Sequence, residues 1–557
     1  MKEMMENLKR FRKGCSLQNL KRNWYFPLSA GAFFCLNIRI TRGSAFALAV
    51  ALAAVCLIAA RLPSLWAYVK AGRGLTAFSV LSAAGICLGA MDSFAFEDMF
   101  NQGDKIRNLL NRSPWVDIGI ALCGAASLVF ISFFVLLFWK RFRGLMKWKR
   151  DLLALSGAEK ILYAGLAVLL CGYVIYAFTG SVVFYDVHAY DFVYDAIYSS
   201  ESTELFRPSA YLWPAHAEND IRQPLVALFS APFMGIPYLI GSLISVPVKA
   251  ILMDCVQVLM LLFANLMIAK SMRLGSGGRI CFMGLSFCMY SNLLFTVMME
   301  QYIVVYFWLA SAVYMFCSGE EYDELPLLAA GGTLLAGFAL LPFFPPKGFT
   351  FSKPGLKAWL IRVGKLMAVF LFLMAVFCKF DLFYNLVSLS RFMMTFTGKN
   401  ITFTDRLYQF SEFVRGCFLA PHAGVDFTTK KHVAWFLNPA LGIHPTGAVI
   451  LGLALLSALI HRRKKACLLS GAWVVLSFLV LAVVGWGTKE NGLILYALYF
   501  GWAYLVLLLQ LVFTVCEKLR IGAAAWVICG AACTGMLVFN LPAIGDLLRF
   551  AFEYYPL

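Results

Sequence analysis

Residues 140–150 read KRFRGLMKWKR and residues 161–183 read ILYAGLAVLLCGYVIYAFTGSVV, and this pair of segments decides the fold. The first segment carries six Lys or Arg side chains, and the second has 23 residues without a charged one. A helix needs about 20 apolar residues to cross a bilayer, and basic clusters accumulate on the cytoplasmic side. The two segments therefore predict a transmembrane helix that starts in the cytoplasm and ends at the outer face of the membrane.

The composition extends this prediction to the whole chain. Of 557 residues, 61% are apolar and 14% are charged, whereas soluble domains carry about 25% charged residues. The mean hydropathy is +0.76. These values exclude a disordered protein, a coiled coil and an ordinary soluble enzyme, and the alternating segments of a membrane β-barrel are absent from the sequence. The predicted fold is all-α, a polytopic transmembrane helical bundle of about 11–14 spans.

Similar apolar blocks recur along the chain. The predicted spans are residues 44–62, 75–93, 115–139, 161–183, 248–269, 280–298, 302–317, 366–384, 444–460, 468–485, 492–512 and 521–541. Two further apolar stretches do not fit a simple span. Residues 224–246 contain three prolines, which predicts an interfacial or re-entrant segment. Residues 326–346 are long enough only for a short hairpin.

Clusters of Lys and Arg orient these spans. The segments predicted to be cytoplasmic are 140–150, 270–279, 347–365, 461–465 and 518–520. The regions predicted to lie outside are 94–114, 184–223, 385–443 and 542–557. From residue 75 onward these assignments alternate correctly across the membrane.

The N-terminal residues 1–43 fit this orientation less simply. Seven Lys or Arg side chains among the first 22 residues, with apolar residues at helical spacing, predict a basic helix on the inner membrane surface. A disordered basic tail is the alternative. A single span at 44–62 conflicts with a cytoplasmic N-terminus. Either residues 25–40 also enter the membrane or the N-terminus lies outside, and we favour the first.

The net charge of +18 does not predict nucleic-acid binding, because most basic residues lie in short clusters beside the spans. Of the 16 cysteines, only Cys417 falls clearly in a long polar loop, so a disulfide framework has no partner. Cys529 and Cys533 are interpreted as small buried apolar residues. No Cys or His spacing predicts a zinc site. No cofactor is predicted, and a divalent metal is not indicated.

The loop 184–223 is the most acidic segment of the chain. It holds seven carboxylates against two arginines, a net charge of −5. Asp186 directly follows a predicted span, and Asp191 comes five residues later. Tyrosines interleave with these acids, and aromatic rings beside carboxylates suit sugar stacking and general-base catalysis. The alternative is an ordinary acidic outer loop with an interfacial tyrosine belt.

Two short polar segments near the outer ends of spans are candidates for binding a substrate. Glu300 in MMEQY lies at the junction of two closely linked spans, where a carboxylate is costly unless it is paired or functional. As a turn residue it is alternatively solvated. Lys489 and Glu490 in GTKENG either pair with each other or bind phosphate and hydroxyl groups of a ligand.

The loop 385–443 carries six Lys or Arg against three acids, an excess that breaks the positive-inside pattern. A lipid-linked phosphate would explain this excess, and the candidate phosphate ligands are Arg391, Arg406 and Arg415. The histidines at or near this loop do not have metal-ligand spacing. They are predicted to be solvated or helix-end residues: His422, His432 and His444.

This layout resembles the GT-C glycosyltransferases, polytopic enzymes that use polyprenyl-phosphate sugars. The shared features are a span that ends in an Asp-bearing outer loop, the following helix RQPLVALFSAPF, and the Glu of MMEQY at the outer end of a later helix pair. The resemblance in layout covers residues 75–541. It implies that Asp186 is the catalytic base, with Asp191 as the second candidate.

The chain also departs from that family. Members often carry His before the Pro of the loop-end helix, whereas Gln223 stands here, beside Arg222. The three spans before residue 150 are interpreted as an added N-terminal module. His188, close to Asp186, and Arg222 complete the set of candidate substrate-binding residues.

The resemblance implies a polyprenyl-phosphate-linked sugar as donor and an envelope glycan, lipid or protein as acceptor. Transfer would occur on the outer face of a bacterial plasma membrane, within contact of membrane lipid. A carboxylate would deprotonate the acceptor hydroxyl, and cations would hold the leaving phosphate. Inversion at the sugar follows from direct attack and retention from a nucleophilic carboxylate, and family precedent favours inversion.

The predicted organisation follows from these segments. It comprises a basic N-terminal segment (1–43), an N-terminal transmembrane module (44–150), a GT-C-like core with its outer loop 184–223 (151–384), a second outer loop (385–443) and C-terminal transmembrane helices (444–557).

Three other functions remain open. They are a transporter or flippase of lipid-linked or small polar substrates, a polysaccharide polymerase or ligase, and an inactive envelope-assembly protein. Transporters place ionisable groups inside the membrane, and the clearest such group here is Asp254, with Lys249 five residues earlier. The absence of an internal hydropathy repeat favours the enzyme.

Overall fold

The structure, a computed structural model, describes a large part of the chain. The described residues are 15–36, 42–65, 67, 72–100, 114–145, 153–185, 196–198, 208–213, 223–318, 324–345, 350–377, 397–398, 401–427, 433–438, 440–489 and 492–557. Regular structure in these ranges is helical apart from one two-stranded antiparallel hairpin. The predicted all-α fold is therefore confirmed for the part of the chain that the structure describes.

Helices make up nearly all of the regular structure in the described ranges. The α-helices are α1 (Leu17–Arg22), α2 (Tyr25–Leu36), α3 (Arg42–Arg61), α4 (Arg73–Phe100), α5 (Pro114–Leu145), α6 (Gly157–Gly180), α7 (Val226–Ser242), α8 (Val246–Ser271), α9 (Ser276–Cys288), α10 (Tyr290–Thr296), α11 (Tyr302–Ser318), α12 (Glu324–Thr333), α13 (Lys353–Phe377), α14 (Phe403–Gly416), α15 (Pro445–Ile460), α16 (Lys465–Ser477), α17 (Ala497–Lys518) and α18 (Gly522–Tyr554). The strands are β1 (Ala423–Asp426) and β2 (Ala434–Leu437). Short 3-10 segments lie at Val182–Phe184, Pro208–Tyr211, Leu335–Phe343 and Gly492–Tyr496, and a π-helical segment lies at Phe478–Val483.

Seven of the described helical segments are long and apolar enough to cross a membrane. They are Arg73–Asp92, Ala121–Phe142, Gly157–Gly180, Val246–Ser271, Lys465–Val483, Gly492–Lys518 and Gly522–Tyr554. Each coincides with a predicted span. The shorter apolar helices are Tyr25–Cys35, Ala49–Arg61, Val226–Ser242, Tyr302–Ser318 and Pro445–Ile460.

The chain forms two compact units, and both are discontinuous in sequence. Unit 1 comprises Met1–Lys147, Pro208–Lys249 and Ala368–Leu386, and unit 2 comprises Trp148–Arg207, Ala250–Met367 and Val387–Leu557. The chain therefore leaves unit 1 after the first five helices and returns to it for α7. The predicted domain boundaries stay predictions.

Unit 1 is held together by close helix packing. A Cβ on Gly85 in α4 would lie 1.7 Å from the carbonyl oxygen of Gly235 in α7, so the two backbones meet where neither residue has a side chain. The Phe26 ring of α2 packs against Phe130 and Phe133 of α5, with ring centroids 5.4 and 5.2 Å away. These contacts make α2 an integral helix of the unit.

This packing bears on the N-terminal conflict. Residues 25–36 form a helix that packs beside α3 as well as α5. The Asn23 side chain donates hydrogen bonds to the carbonyls of Ala59 and Leu62 at the end of α3, over 3.0 and 2.7 Å. Helix α2 is thus paired with α3, and the favoured alternative, in which the segment before residue 44 also enters the membrane, stays a prediction.

Unit 2 contains one predicted span that is broken. The prediction of a continuous helix over 280–298 is wrong, because Met289 adopts an extended conformation (φ −64°, ψ 134°) between α9 and α10. The break frees backbone groups inside an apolar core, where each needs a partner. The carbonyl of Phe418 accepts from the N–H of Tyr290 over 3.1 Å, and the Asn540 amide donates to the Cys288 carbonyl over 2.7 Å.

Two other predicted boundaries also move. The span predicted at 521–541 continues as α18 to Tyr554, through Pro542. Helix α13 begins at Lys353, 13 residues before the predicted start at 366, so the basic stretch predicted as a cytoplasmic loop is largely its first turns. Residues 224–246 are mainly helix α7, and 326–346 are the short helix α12 followed by a 3-10 segment. That last pair agrees with the predicted short hairpin.

Candidate functional site

The segment that carries Asp186 is anchored at the end of α6. The Ser181 hydroxyl accepts from the N–H of Val183 over 3.2 Å and donates to the carbonyl of Tyr555 over 2.6 Å. The 3-10 turn Val182–Phe184 follows, and Phe184 and Tyr185 are buried. The chain is therefore fixed up to Tyr185, one residue before the predicted base. Asp186, His188 and Asp191 themselves lie outside the described residues.

The turn MMEQY meets this anchored segment. The backbone N–H of Met299 donates to the carbonyl of Phe184 over 3.3 Å. Glu300, predicted as a substrate ligand, follows directly and is only 2% exposed. The Oε1 atom of Gln301 is buried and has no hydrogen-bond partner among the described residues. The sequence placed Glu300 at a helix junction, and the structure brings that junction beside the residues that precede Asp186.

The acidic loop also contacts the basic loop through a cluster of three aromatic side chains, Tyr198, Tyr290 and Trp435, which we call the tyrosine junction. The Trp435 N–H donates to the carbonyl of Ala196, and the Tyr198 N–H donates to the carbonyl of Trp435, each over 2.8 Å. Residues 196–198 therefore run along β2. The Trp435 indole donates to the Tyr198 hydroxyl over 3.2 Å, and the hydroxyls of Tyr198 and Tyr290 hydrogen-bond to each other.

Tyr198 is unusual in backbone and in acidity. Its φ is +53°, a left-handed conformation that is rare outside glycine and is often found at functional sites. Burial raises the pKa of Tyr198 to about 12, although hydrogen bonds with Tyr290 and Trp435 lower it in part. Tyr198 therefore stays neutral at physiological pH and serves as a hydrogen-bonding group rather than as a base.

The segment GWGTKEN, which carries Lys489 and Glu490, lies close to Tyr198 in the structure. Gly485 and Gly487 both have φ near +77°, which allows two tight turns after the π-helical segment. Thr488 is buried, and its hydroxyl donates to the carbonyl of Gly485 over 2.6 Å. Lys489 follows and is exposed, whereas Glu490 lies outside the described residues. The chain returns at Gly492, where a Cβ would lie 4.0 Å from the carbonyl oxygen of Tyr198.

The basic candidates divide into separate places. Arg406, near the start of α14, donates to the carbonyls of Val483 and Val484 over 3.3 and 3.4 Å and to that of Gly398 over 3.1 Å. The carbonyls of Val483 and Val484 lie at the end of the π-helical segment, where helical acceptors lack partners, which explains the arginine. Two of its three nitrogens thus bind the chain itself. Its Nε is buried and has no partner among the described residues.

Arg415, the other candidate arginine that the structure describes, does not join Arg406. Arg415 lies nine residues later on α14, about 14 Å along the helix axis, and pairs with Glu412 over 2.6 Å. Arg391 and Arg222 lie outside the described residues. Of the predicted phosphate ligands in the described ranges, Lys489 and Arg406 share one end of unit 2, since the Gln409 amide of α14 donates to the Thr488 carbonyl over 3.3 Å.

Sequence reasoning missed the contribution of the C-terminus. Ser181 and Pro556 form an antiparallel β-bridge, and the Tyr555 hydroxyl hydrogen-bonds to the carbonyl of Val433 just before β2. The last residues thus connect the acidic and basic loops. Tyr198 stood within the predicted tyrosine series, but nothing local in the sequence indicated its partners, which are 92 and 237 residues away along the chain.

Two of the three candidate histidines are described, and His432 lies outside the described residues. His422 is exposed and His444 directly precedes α15, in agreement with solvated and helix-end roles. Among the described residues, no three His, Cys, Asp or Glu side chains are grouped to hold a metal ion. The arrangement at this end of unit 2 offers aromatic rings, amide oxygens and a cation beside the attachment of an acidic loop.

Comparison with protein-family models, with curated proteins and with solved structures finds no match to this chain.

Proposed function

We propose that this protein is a membrane glycosyltransferase of the GT-C type that moves a sugar from a polyprenyl-phosphate donor to a cell-envelope acceptor. Transfer occurs on the outer face of a bacterial plasma membrane, and Asp186 is the general base. The acceptor is an envelope glycan, lipid or protein. The donor keeps its lipid tail in the bilayer while its phosphate and sugar reach the polar end of unit 2.

One observation carries the proposal. Segments that are far apart in the sequence meet in unit 2: the turn at Met299 contacts the anchor of the acidic loop at Phe184, and Gly492, just after the segment GWGTKEN, lies beside Tyr198 of the tyrosine junction. A lipid-linked sugar transferase needs three kinds of group close together. They are a carboxylate for the acceptor hydroxyl, polar groups for the sugar and a cation for the leaving phosphate.

The residues take separate roles under this proposal. Asp186 removes the acceptor proton, with Asp191 as the second candidate. Glu300 and the amide oxygen of Gln301 bind sugar hydroxyls, and Lys489 contacts the phosphate. His188, Arg222, Glu490, Arg391, Arg406 and Arg415 remain predicted substrate ligands, with Arg406 and Arg415 already bonded to other protein groups.

The test is sugar transfer by the purified protein in proteoliposomes, with a panel of polyprenyl-phosphate sugars as donors. Asp186→Asn keeps the shape of the side chain and removes its basicity. We expect a loss of about 10²–10⁴-fold in the transfer rate, the usual effect of removing a general base. Asp546→Asn is the matched control, because the Asp546 carboxylate of α18 is 53% exposed and pairs with Arg549.

Two results would contradict the assignment. If Asp191→Asn loses transfer and Asp186→Asn does not, the base is Asp191. If both variants insert, purify and transfer like the parent, the acidic loop is not catalytic. A flux of intact lipid-linked substrate without sugar release would then favour the transporter or flippase.

A further inference from the structure

A second polar feature lies inside a membrane-spanning helix and is not used by the proposed transfer reaction. Asp254 and Gln257 of α8 are both completely buried in unit 2. Neither oxygen of the Asp254 carboxyl group has a hydrogen-bond partner among the described residues, and the same holds for the amide oxygen and nitrogen of Gln257. Four buried polar atoms on one helix are therefore unsatisfied by the described chain.

The two side chains share one face of α8. Residues three apart on a helix are neighbours on its surface, and Asp254 is about 12 Å from the start of the helix at Val246. Lys249 is not a counter-charge for Asp254. Five residues rotate a side chain about 140° around the helix, and within unit 1 the Lys249 ammonium lies 3.7 Å from Asp92.

The groups that face Asp254 carry no fixed positive charge. Among the described residues the titratable neighbours are the thiol of Cys171 on α6 and the thiol of Cys255 on α8 itself. A carboxylate in such a place is too costly to remain charged and alone, because desolvation is not compensated. Its charge must be cancelled by something that the described residues do not supply.

We infer that Asp254 and Gln257 form a binding site for an exchangeable monovalent cation, a proton or a sodium ion, within the membrane-spanning part of unit 2. The carboxyl group supplies the charge. The amide oxygen of Gln257 supplies a neutral ligand for sodium or accepts a hydrogen bond from the protonated carboxyl. A divalent ion is disfavoured, because no group of three metal-binding side chains is present among the described residues.

A polar stripe continues from this site along α8. Asn265 lies eleven residues after Asp254, which returns it to nearly the same face, about 20° away. Its side chain is 4% exposed and accepts a hydrogen bond from the Tyr306 hydroxyl of α11 over 2.7 Å. Unlike Asp254, Asn265 has its partner within the protein.

The test uses a hydrophobic carbodiimide on the full-length protein in proteoliposomes. The O–H of a protonated carboxyl adds across the N=C=N unit to give an O-acylisourea. In an apolar site without a competing nucleophile, its acyl group migrates from oxygen to nitrogen, and peptide mass spectrometry locates the stable N-acylurea. We expect an adduct at Asp254 and none at Glu159, a buried carboxylate that pairs with Arg279. Asp254→Asn should abolish the adduct.

Two series of buffers then separate the two cations. If the ion is sodium, exchange of choline chloride for sodium chloride at fixed pH should slow labelling about tenfold once sodium reaches about ten times its dissociation constant. If the ion is a proton, sodium should have no effect. Labelling should then fall about tenfold per pH unit above the midpoint.

Poor access of the reagent is covered by a second measurement, the thermal unfolding midpoint of the parent and of Asp254→Asn in the same buffers. Without an adduct, a sodium- or pH-dependent shift that only the parent shows supports the site. The inference is overturned if labelling is equal in every buffer, which would mean a permanently protonated carboxyl. It is also overturned if no adduct forms and the two proteins shift identically. Neither result depends on sugar transfer, so the proposed function is tested separately.

Discussion

Glu159 and Asp254 are both completely buried in unit 2, but they differ in their hydrogen-bond partners. The Glu159 carboxylate accepts from the guanidinium of Arg279 over 2.5 and 3.0 Å and from the backbone N–H of Ser156 over 2.8 Å. The Asp254 carboxyl has no hydrogen-bond partner among the described residues. Burial alone therefore does not reveal what an acidic residue does in this protein.

The sequence explains the paired case. Ser156 and Glu159 form a capping box at the start of α6, in which each side chain bonds the backbone of the other residue. The negative charge also lies at the positive end of the helix dipole. Arg279 then fastens α9 to this end. Glu159 thus serves local structure and long-range packing together, whereas Asp254 has no hydrogen-bond partner of either kind among the described residues.

The largest effect on stability should follow from Glu159→Ala. The change removes the carboxylate that pairs with the Arg279 guanidinium, which is 16% exposed. Breaking a buried ion pair from one side costs about 3–5 kcal/mol, and the loss of the cap adds to this. We expect a drop of that size in the free energy of unfolding, measured by denaturant titration in mixed micelles.

Glu324→Ala is the matched control, because Glu324 pairs with Arg362 over 3.5 Å but is 57% exposed. An exposed pair contributes about 0–1 kcal/mol. Equal losses from the two variants would show that the Glu159 pair is no stronger than a surface pair, and the comparison with Asp254 would lose its basis.

A neutral polar side chain gives the intermediate case. Asn540 of α18 is completely buried, donates to the carbonyls of Cys288 and Phe418 over 2.7 Å each, and accepts from the N–H of Ala420 over 2.8 Å. Asn540→Leu should lower the free energy of unfolding by about 1–3 kcal/mol, because it strands buried backbone groups. The same denaturant titration measures it.

Asn540 also supports the break between α9 and α10 that places Tyr290 in the tyrosine junction. The fluorescence signal of Trp435, taken as the difference between each protein and its Trp435→Phe version because the chain has 13 tryptophans, should therefore change in Asn540→Leu. A control at Thr534, whose hydroxyl bonds only the carbonyl of Gly530 within α18, should leave both readings near those of the parent. An unchanged Trp435 signal in Asn540→Leu would show that the break does not depend on this amide.

Much of the fold could be predicted because a bilayer-spanning helix is a local property of about 20 residues. The seven long apolar segments follow directly from hydropathy. The break at Met289 could not be predicted in this way, because residues 280–298 contain no proline and only one glycine. Its partners, Phe418 and Asn540, are more than 120 residues away, so the local pattern holds no trace of them.

The candidate site was predictable in its segments and not in its contacts. Polar residues between apolar spans identified Glu300 and Lys489, because charge is rare in such a chain. The role of Arg406 was not visible, since the carbonyls that it binds belong to residues 483–484. The sequence does not distinguish a loop arginine that binds a phosphate from one that caps the end of a distant helix.

The smallest effect should follow from Asp254→Leu, measured in sodium-free buffer. Leucine has a similar volume and removes a buried polar group that has no hydrogen-bond partner among the described residues, so the usual loss from a core substitution is offset. We expect a free energy of unfolding within about 1 kcal/mol of the parent, and higher rather than lower. Asn265→Leu on the same helix is the control, because it strands the Tyr306 hydroxyl and should cost about 1–3 kcal/mol. If Asp254→Leu instead loses as much as Glu159→Ala, Asp254 has a strong partner in the folded chain. Asp254 and Glu159 would then differ in their position in the fold and not in their function.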